Sequence, residues 1–153
     1  MTDKTTYPEV IEHIGIKLWR ANQDWKERFT TAMVDRGFHW YAEARGSLFQ
    51  YMGPNGIAQI QLAEKAKISK QAVQQHLDDL EADGVIERVA DPNDARKKHI
   101  KLTNQGVEAV RVANEIKLAI EEDYATLIGR KALSDLSASL DRIISQKHTT
   151  VKR

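Results

Sequence analysis

The chain has 153 residues, of which 41% are hydrophobic, and it carries a formal net charge of +1. A chain of this length can bury one hydrophobic core, or a smaller core together with an oligomer interface. It contains no cysteine, which excludes disulfide bonds, cysteine-ligated zinc and thiol-based redox sensing. With only three prolines and eight glycines, a mainly helical fold is expected.

No run of apolar residues approaches the roughly 20 residues that a membrane-spanning helix requires. The first residues, Met1, Thr2 and Asp3, do not begin a signal peptide. We therefore expect a cytoplasmic protein that does not contact a membrane.

The first predicted element is a long helix over residues 7–36, with Pro8 in its first turn. One apolar stripe runs along it, formed by Val10, Ile14, Leu18, Ala21, Trp25, Phe29 and Met33. Ile11, Ile16 and Trp19 lie off this stripe, so the helix is apolar on more than one side. A surface helix of a monomer needs only one apolar face. The second face indicates burial against a partner.

Gly37 breaks this helix, and a second helix is predicted over residues 41–52, with its inward side chains at Ala44, Leu48 and Tyr51. Aromatic residues cluster at the break. With nearby polar groups they form a candidate pocket for an aromatic carboxylate or phenol, whose residues are Trp19, Trp25, His39, Trp40 and Arg45. Arg45 would pair with the anionic group of such a ligand. The alternative is that these aromatic side chains build only the core and a subunit interface.

The central part of the chain, residues 57–105, changes from helical to strand periodicity. A short helix over residues 59–67 is predicted to turn one face inward, that of Ile60, Ala63 and Ala66. Ser69 suits the N-cap of the next helix, because its hydroxyl oxygen can accept from N–H groups of the first turn. That helix carries an inward stripe of Val73, Leu77 and Leu80. It ends at Asp83 and Gly84, where glycine can adopt the left-handed conformation.

Two short strands are predicted next, over residues 85–89 and 99–102, with turn residues from Asp91 to Asp94 between them. The cations of this ribbon are Arg88, Arg96, Lys97, Lys98 and Lys101. Helix, turn, helix and a two-stranded ribbon with a cationic tip make a winged helix-turn-helix, which we expect over residues 41–103. Its second helix would enter the major groove of DNA, and the ribbon an adjacent minor groove.

The outward face of the helix that follows Ser69 is polar. Glutamine can pair bidentately with adenine, and lysine can reach guanine or a phosphate. The candidate DNA contacts on this helix and the wing are Ser69, Lys70, Gln71, Gln74, Gln75, Arg96, Lys97 and Lys98. His99, in the second strand, is a further candidate for a phosphate contact. The alternative is a winged helix that docks another protein without specific DNA binding, since a fold does not decide function.

Two helices are predicted in the last third of the chain. Thr103 would N-cap the first, whose inward residues are Ala109, Val112, Ile116, Ile120 and Tyr124. After a break at Gly129, the last helix groups its apolar residues on one side: Leu133, Leu136, Leu140, Ile143 and Ile144. We expect residues 7–36 and 104–146 to be dimerisation helices of a single regulator domain that spans residues 1–153.

The sequence offers little support for a metal site or for catalysis. The five histidines are scattered, and no two have the i, i+4 spacing of a helical metal site. No Gly-rich phosphate loop or nucleophile motif is present. We therefore predict no metal, no cofactor and no enzymatic activity.

The segments LAEKAKIS, LEADGVIERV, DPNDAR and LTNQG resemble the MarR family of bacterial transcription regulators. The resemblance implies that Arg96 reaches the minor groove from the wing tip and that Asp94 braces the wing through an ion pair. Asn93 departs from the family pattern, because many relatives carry an arginine there. Ala72-Val73-Gln74-Gln75 stands where many relatives have Thr-Val-Ser-Arg, so the target sequence is not inherited from the resemblance.

The resemblance also implies a homodimer that reads a pseudo-palindromic operator, and a small effector bound where the dimer and DNA-binding helices meet. We therefore predict a sequence-specific double-stranded DNA-binding transcriptional regulator. It would be a homodimeric repressor that a small aromatic or phenolic ligand relieves.

Overall fold

The computed structural model describes residues 9–146, in which there are five α-helices and three short β-strands. In chain order these are α1 (Ile14–Asp35), β1 (Ile57–Ala58), α2 (Gln59–Ala66), α3 (Lys70–Ala82), β2 (Ile86–Ala90), β3 (Lys98–Leu102), α4 (Asn104–Ile128) and α5 (Arg130–Ser145). The prediction of a mainly helical fold with a small β-wing is confirmed. Pro8 and residues 147–153 lie outside the described residues. None of the helices between residues 9 and 146 is long and apolar enough to cross a membrane.

Helix α1 begins at Ile14, and not near residue 7 as the sequence predicted. The side chains of Val10 and Ile11 are 93% and 71% exposed. Short helical turns depend on tertiary packing for most of their stability, and these two side chains find no packing surface within one chain. His13, at the N-cap, makes no side-chain hydrogen bond to the first turn.

The helix predicted over residues 41–52 is instead a pair of 3-10 segments, His39–Ala42 and Ala44–Tyr51. Gly46 allows the second segment to lie close against the first, because a Cβ atom there would lie only 2.7 Å from the Cα of Tyr41. A 3-10 helix has three residues per turn, which changes the side chains that face inward. Phe49 is buried, whereas Ala44, predicted to face inward, is exposed.

The main hydrophobic core lies between the 3-10 segments, α2, α3 and the sheet. Its fully buried side chains are Leu48, Leu62, Val73, Leu77, Leu80, Ile86 and Ile100. The predicted inward stripe of α3 is therefore confirmed. For α2 the predicted face is only partly right. Ala63 and Ala66 are half-buried against the core, but Ile60 is 51% exposed and the fully buried residue is Leu62.

The three strands form an antiparallel sheet in the order β1-β3-β2. Strand β1 was not predicted, because two residues are too few to show an alternating pattern; Ile57 pairs with Ile100 of β3. Strand β2 begins at Ile86, one residue later than predicted. The preceding N–H, that of Val85, donates to the carbonyl oxygen of Leu80 at 3.2 Å and so helps to end α3.

Helix α4 packs against α1 and forms a second core cluster with it. Four of its five predicted inward residues are buried, and the fifth, Tyr124, is half-buried. From α1, Phe29 and Met33 are buried in this cluster. The N-cap prediction for Thr103 is confirmed, because its Oγ1 accepts from the N–H of Gly106 at 3.2 Å.

The first half of α1 and the length of α5 leave apolar side chains exposed. No residue of α5 is buried. The exposed apolar side chains of these two helices, and of the segment just before α1, include Val10, Ile11, Ile14, Trp19, Leu136, Ile143 and Ile144. Monomeric proteins rarely expose large apolar patches, so this surface suits a subunit interface.

Candidate nucleic-acid interface

A tight turn joins α2 to α3 and sets the direction of α3. Lys67 ends α2 in the left-handed conformation, with φ of 53°. Two residues later, the Oγ of Ser69 accepts from the N–H of Ala72 at 3.1 Å and caps α3. The cap leaves the hydroxyl group exposed at the N-terminus of the helix. This end of a helix attracts anions, because its N–H groups and the helix dipole both favour negative charge.

The outward face of α3 carries the predicted base-reading residues. Because Val73, Leu77 and Leu80 point into the core, the remaining face of the helix is turned to solvent. The exposed residues of that face are Lys70, Gln71, Gln74 and Gln75. The structure therefore brings these four residues and the Ser69 cap together on one accessible surface.

The wing tip is a turn held by two aspartates. Asp94 Oδ1 accepts from the backbone N–H of Arg96 at 3.1 Å and from its Nε at 3.2 Å. Asp91 Oδ1 accepts from the N–H of Asn93 at 2.8 Å, and this hydrogen bond holds the pKa of Asp91 below its ordinary value. The side chain of Arg96 is 91% exposed, so it projects from a turn whose backbone is fixed.

Arg88 was predicted to be one of the wing's free cations, but the structure places it inward. Its side chain is 17% exposed, and its Nη2 lies 2.6 Å from Asp78 Oδ1 and 2.5 Å from Glu81 Oε2. The hydrogen bond from Arg88 holds the pKa of Glu81 below its ordinary value. Arg88 therefore ties β2 to α3. The signal in the sequence was the i, i+3 spacing of Asp78 and Glu81, which places both carboxylates on one side of the helix.

A groove of about 580 Å³ separates α2 and α3 from the wing. Its cationic lining residues are Lys70, Arg88, Arg96, Lys97 and Lys98, and its apolar wall is formed by Ala58, Ile60, Ala63 and Val73. Glu81 is also present, and it is paired with Arg88. The potential between helix and wing is therefore positive, which favours a polyanion at this surface.

His99 is not free to contact a phosphate, contrary to the sequence-based expectation. Its side chain is half-buried at the base of the wing, where Nε2 lies 2.9 Å from the carbonyl oxygen of Asn55. Its Nδ1 is buried 3.8 Å from Asp91 Oδ2. His99 thus connects β3 to the turn before β1.

The five residues predicted to form an effector pocket lie in different surroundings. Trp40 is buried in the main core, stacked on Tyr41 with ring centroids 4.2 Å apart. Trp25 stacks on Phe29 in the second cluster, with centroids 5.1 Å apart. Trp19 lies on the exposed part of α1. These contacts support the alternative that Trp25 and Trp40 build the core.

The two polar members of that set also differ from the prediction. Arg45 is paired with Glu43 at 3.1 Å and with Asp83 at 3.3 Å, so its charge is already matched. The second of these pairs joins the 3-10 segment to the end of α3. His39 is exposed. Among residues 9–146, no group of three or more histidine, aspartate or glutamate side chains could hold a metal ion.

Residues 48–97 match the sequence model of the MarR family. Transcriptional regulator PA3341 has a similar structure, with a TM-score of 0.69 and 22% identity over 87% of this chain and 96% of that chain. The reduced form of MarR from E. coli matches with a TM-score of 0.72 and 18% identity, over 88% and 98% of the two chains. No curated protein sequence matches the chain.

A cysteine-to-serine mutant of MarR from E. coli, complexed with operator DNA, is also similar. Its TM-score is 0.69, with 17% identity over 85% of this chain and 92% of that chain. The fold and the polar helix beside a cationic groove define a winged helix-turn-helix protein. Its winged-helix region, residues 48–97, matches the MarR family model, and the chain as a whole has the fold seen in MarR-type transcriptional regulators. MarR-family regulators are DNA-binding proteins and not enzymes.

Proposed function

We propose that this protein is a sequence-specific, double-stranded DNA-binding repressor that acts as a homodimer. The observation that carries the proposal is the exposed polar face of α3 beside a groove lined by four exposed cations, Lys70, Arg96, Lys97 and Lys98. A helix of this length and polarity fits the major groove, and the wing reaches the adjacent minor groove. A protein-docking winged helix would not need this concentration of positive charge.

Each part of the surface has its own role in the proposed complex. Gln71, Gln74 and Gln75 read base edges, and Lys70 contacts a base or a phosphate at the start of α3. Arg96 enters the minor groove from the wing tip, since its side chain is exposed and its backbone is held by Asp94. Two further exposed side chains, Lys97 and Lys98, contact the phosphate backbone.

The homodimer is supported by the exposed apolar surface of α1 and α5. A twofold partner would cover the same surface on both chains, as a closed dimer requires. Two recognition helices would then lie about one turn of DNA apart, with half-sites roughly 10 base pairs from centre to centre. The operator is therefore proposed to be a pseudo-palindrome.

Relief of repression by a small aromatic or phenolic ligand forms part of the proposal. The dimer would need two conformations that differ in the separation of its recognition helices. The ligand would act only if it binds one of these conformations more tightly than the other. The exposed candidates Trp19 and His39 are better placed to contact a ligand than Trp40, which lies in the core. Stabilisation of the protein that rises with ligand concentration would support this part.

Selection of binding sites from random duplex DNA, followed by affinity measurements across a salt series, tests the function. The expected result is one enriched near-palindrome whose binding weakens steeply as salt rises. In the Lys97→Ala variant the slope of log affinity against log salt should fall by about 1. Absence of any enriched site, together with binding that does not depend on salt, would overturn the proposal and leave the protein-docking alternative.

A further inference from the structure

The side-chain amide of Gln74 is held on both sides by other residues. Its Oε1 accepts from the Nε2 of Gln59, on α2, at 2.8 Å. Its Nε2 donates to Oδ1 of Asp78, one turn further along α3, at 2.9 Å. The same carboxylate oxygen accepts from Arg88 on the wing at 2.6 Å. A continuous chain of hydrogen bonds therefore runs from α2 through the recognition helix to the wing.

These hydrogen bonds allow the amide of Gln74 only one orientation. An ionised carboxylate only accepts hydrogen bonds, and Asp78 already accepts one from the guanidinium of Arg88. The atom of Gln74 that faces Asp78 must therefore be the nitrogen. It follows that the oxygen faces the amide nitrogen of Gln59, as the distances show.

The two internal hydrogen bonds leave part of the amide free. A carbonyl oxygen has two lone pairs and an amide nitrogen has two hydrogens, so one acceptor site and one donor remain at Gln74. Bidentate pairing with adenine requires one acceptor for N6 and one donor for N7. Gln74 is exposed, so a base can approach this remaining pair.

Gln75 provides a contrast on the same helix. Its Nε2 donates to Asp79 at 3.3 Å, which is longer than the usual range for N–H···O hydrogen bonds. This single contact holds one end of the amide, whereas the amide of Gln74 is held at both ends. Of the two neighbouring glutamines, Gln74 therefore loses less freedom when it pairs with a base.

We propose that Gln59 is a positioning residue for DNA recognition, which presets the amide of Gln74 to read an adenine in each half-site. Asp78, held by Arg88, fixes the other end of the same amide. The inference rests on the proposed DNA-binding function. It adds that specificity at one base pair depends on a residue of α2 that need not touch DNA itself.

The experiment compares variants on an operator selected with the wild-type protein, at one salt concentration. Every base pair of a half-site is replaced in turn, and the affinity for each replacement is divided by that for the parent operator. Gln74→Ala should abolish the preference for adenine at one base pair. Gln59→Ala should weaken the same preference by roughly 2- to 12-fold, the equivalent of ordering one free side chain.

Two further variants separate positioning from a structural or charge effect. Gln59→Lys keeps a donor for Gln74 Oε1 and should retain the preference, even if its added charge raises affinity for every sequence. Gln61→Ala, at an exposed position of the same helix, should leave the preference unchanged. Equal thermal stability of all four variants would exclude misfolding as the cause.

The outcomes distinguish the inference from the function on which it rests. If wild-type protein selects an operator but Gln59→Ala keeps the full preference, the positioning role is overturned and the DNA-binding function stands. The same holds if Gln59→Ala lowers affinity equally for every base, or if Gln74→Ala changes no preference. If wild-type protein selects no sequence, both proposals fail together.

Discussion

The guanidinium group of Arg88, on the wing strand β2, donates to the carboxylate of Asp78, on the recognition helix α3, across 2.6 Å. A second carboxylate on the same helix, that of Glu81, lies 2.5 Å from the same nitrogen. One arginine thus fixes the angle between the two elements that would enter adjacent grooves of DNA. The ion pair is a structural support of the interface, and not a part of its contact surface.

Replacement of Arg88 by methionine should therefore affect both stability and DNA binding. The two carboxylates would lose their shared partner and repel each other, which should lower the free energy of unfolding by about 1–2 kcal/mol. Urea denaturation would measure this loss. Arg111 is the matched control, because it also pairs with two carboxylates, those of Glu108 and Glu115, but on the exposed surface of α4.

Surface ion pairs contribute little to stability, so Arg111→Met should leave the urea midpoint almost unchanged. Equal effects of the two substitutions would contradict the bracing role of Arg88. Operator affinity should fall only in the Arg88 variant, because Arg88 joins the wing to α3, whereas Arg111 pairs within α4.

The pairing of Glu81 predicts a dependence of stability on pH. Its pKa in the folded protein lies below the ordinary value of 4.5, chiefly because of the hydrogen bond from Arg88. A carboxylate of this kind contributes stability that is fully present above the unfolded pKa and is lost as the pH falls through the folded one. Between neutral pH and about pH 5 the contribution should therefore be constant.

Glu81→Gln should remove part of the stability loss that follows acidification below pH 4.5. Urea midpoints measured from pH 7 to pH 3 for both proteins would test it. The difference between wild type and variant should shrink as the pH falls, since protonated glutamate and glutamine are nearly alike. If the difference between the two urea midpoints grew as the pH fell, the predicted contribution of ionised Glu81 to stability would be contradicted.

Arg96→Ala should weaken operator binding by about 1–3 kcal/mol, if this side chain makes a specific groove contact. The residue is suitable for a clean test because its side chain is 91% exposed, so its removal should not alter folding. Asn93→Ala, at an exposed position of the same turn, is the control and should change affinity little. Unchanged affinity and unchanged site preference in the Arg96 variant would remove its assigned role.

Gly106→Ala should destabilise the protein although alanine usually favours a helix. The first turn of α4 lies against Val85, the residue just before β2. A Cβ atom at Gly106 would collide with the carbonyl oxygen of Val85. Overpacking of this kind costs typically about 1–3 kcal/mol. Gly53→Ala is the control, because a Cβ there meets no atom within 4 Å. A similar urea midpoint for both variants would mean that α4 can shift to make room.

Ile143→Asp should shift the proposed dimer towards monomers, because it would bury a charge in the apolar surface of α5. The side chain of Ile143 is 51% exposed in the single chain, so the substitution should not disturb the fold of one subunit. Ala138 lies on the opposite side of α5 by helical spacing and is exposed, so Ala138→Asp is the control. Sedimentation equilibrium would show a raised dissociation constant only for Ile143→Asp; an unchanged one would place the interface elsewhere.

Local sequence was sufficient for much of the fold. The caps at Ser69 and Thr103, the helix end at Gly84 and the stripe of α3 follow from interactions within one or two helical turns. Such interactions depend on residues that are adjacent in the chain, so their patterns can be read directly. The winged helix-turn-helix and the polar face of α3 were predicted for this reason.

Tertiary packing set the rest, because the partners are far apart in the chain. Arg88 was predicted as a cation of the wing, but in the fold it donates to two carboxylates of α3, seven and ten residues earlier in the chain. His99 bonds to a carbonyl oxygen 44 residues away, and the amide of Gln74 is oriented by Gln59, 15 residues away on another helix. Periodicity shows which face of a helix is polar, but the orientation of a polar group depends on the charges and donors that the fold brings against it.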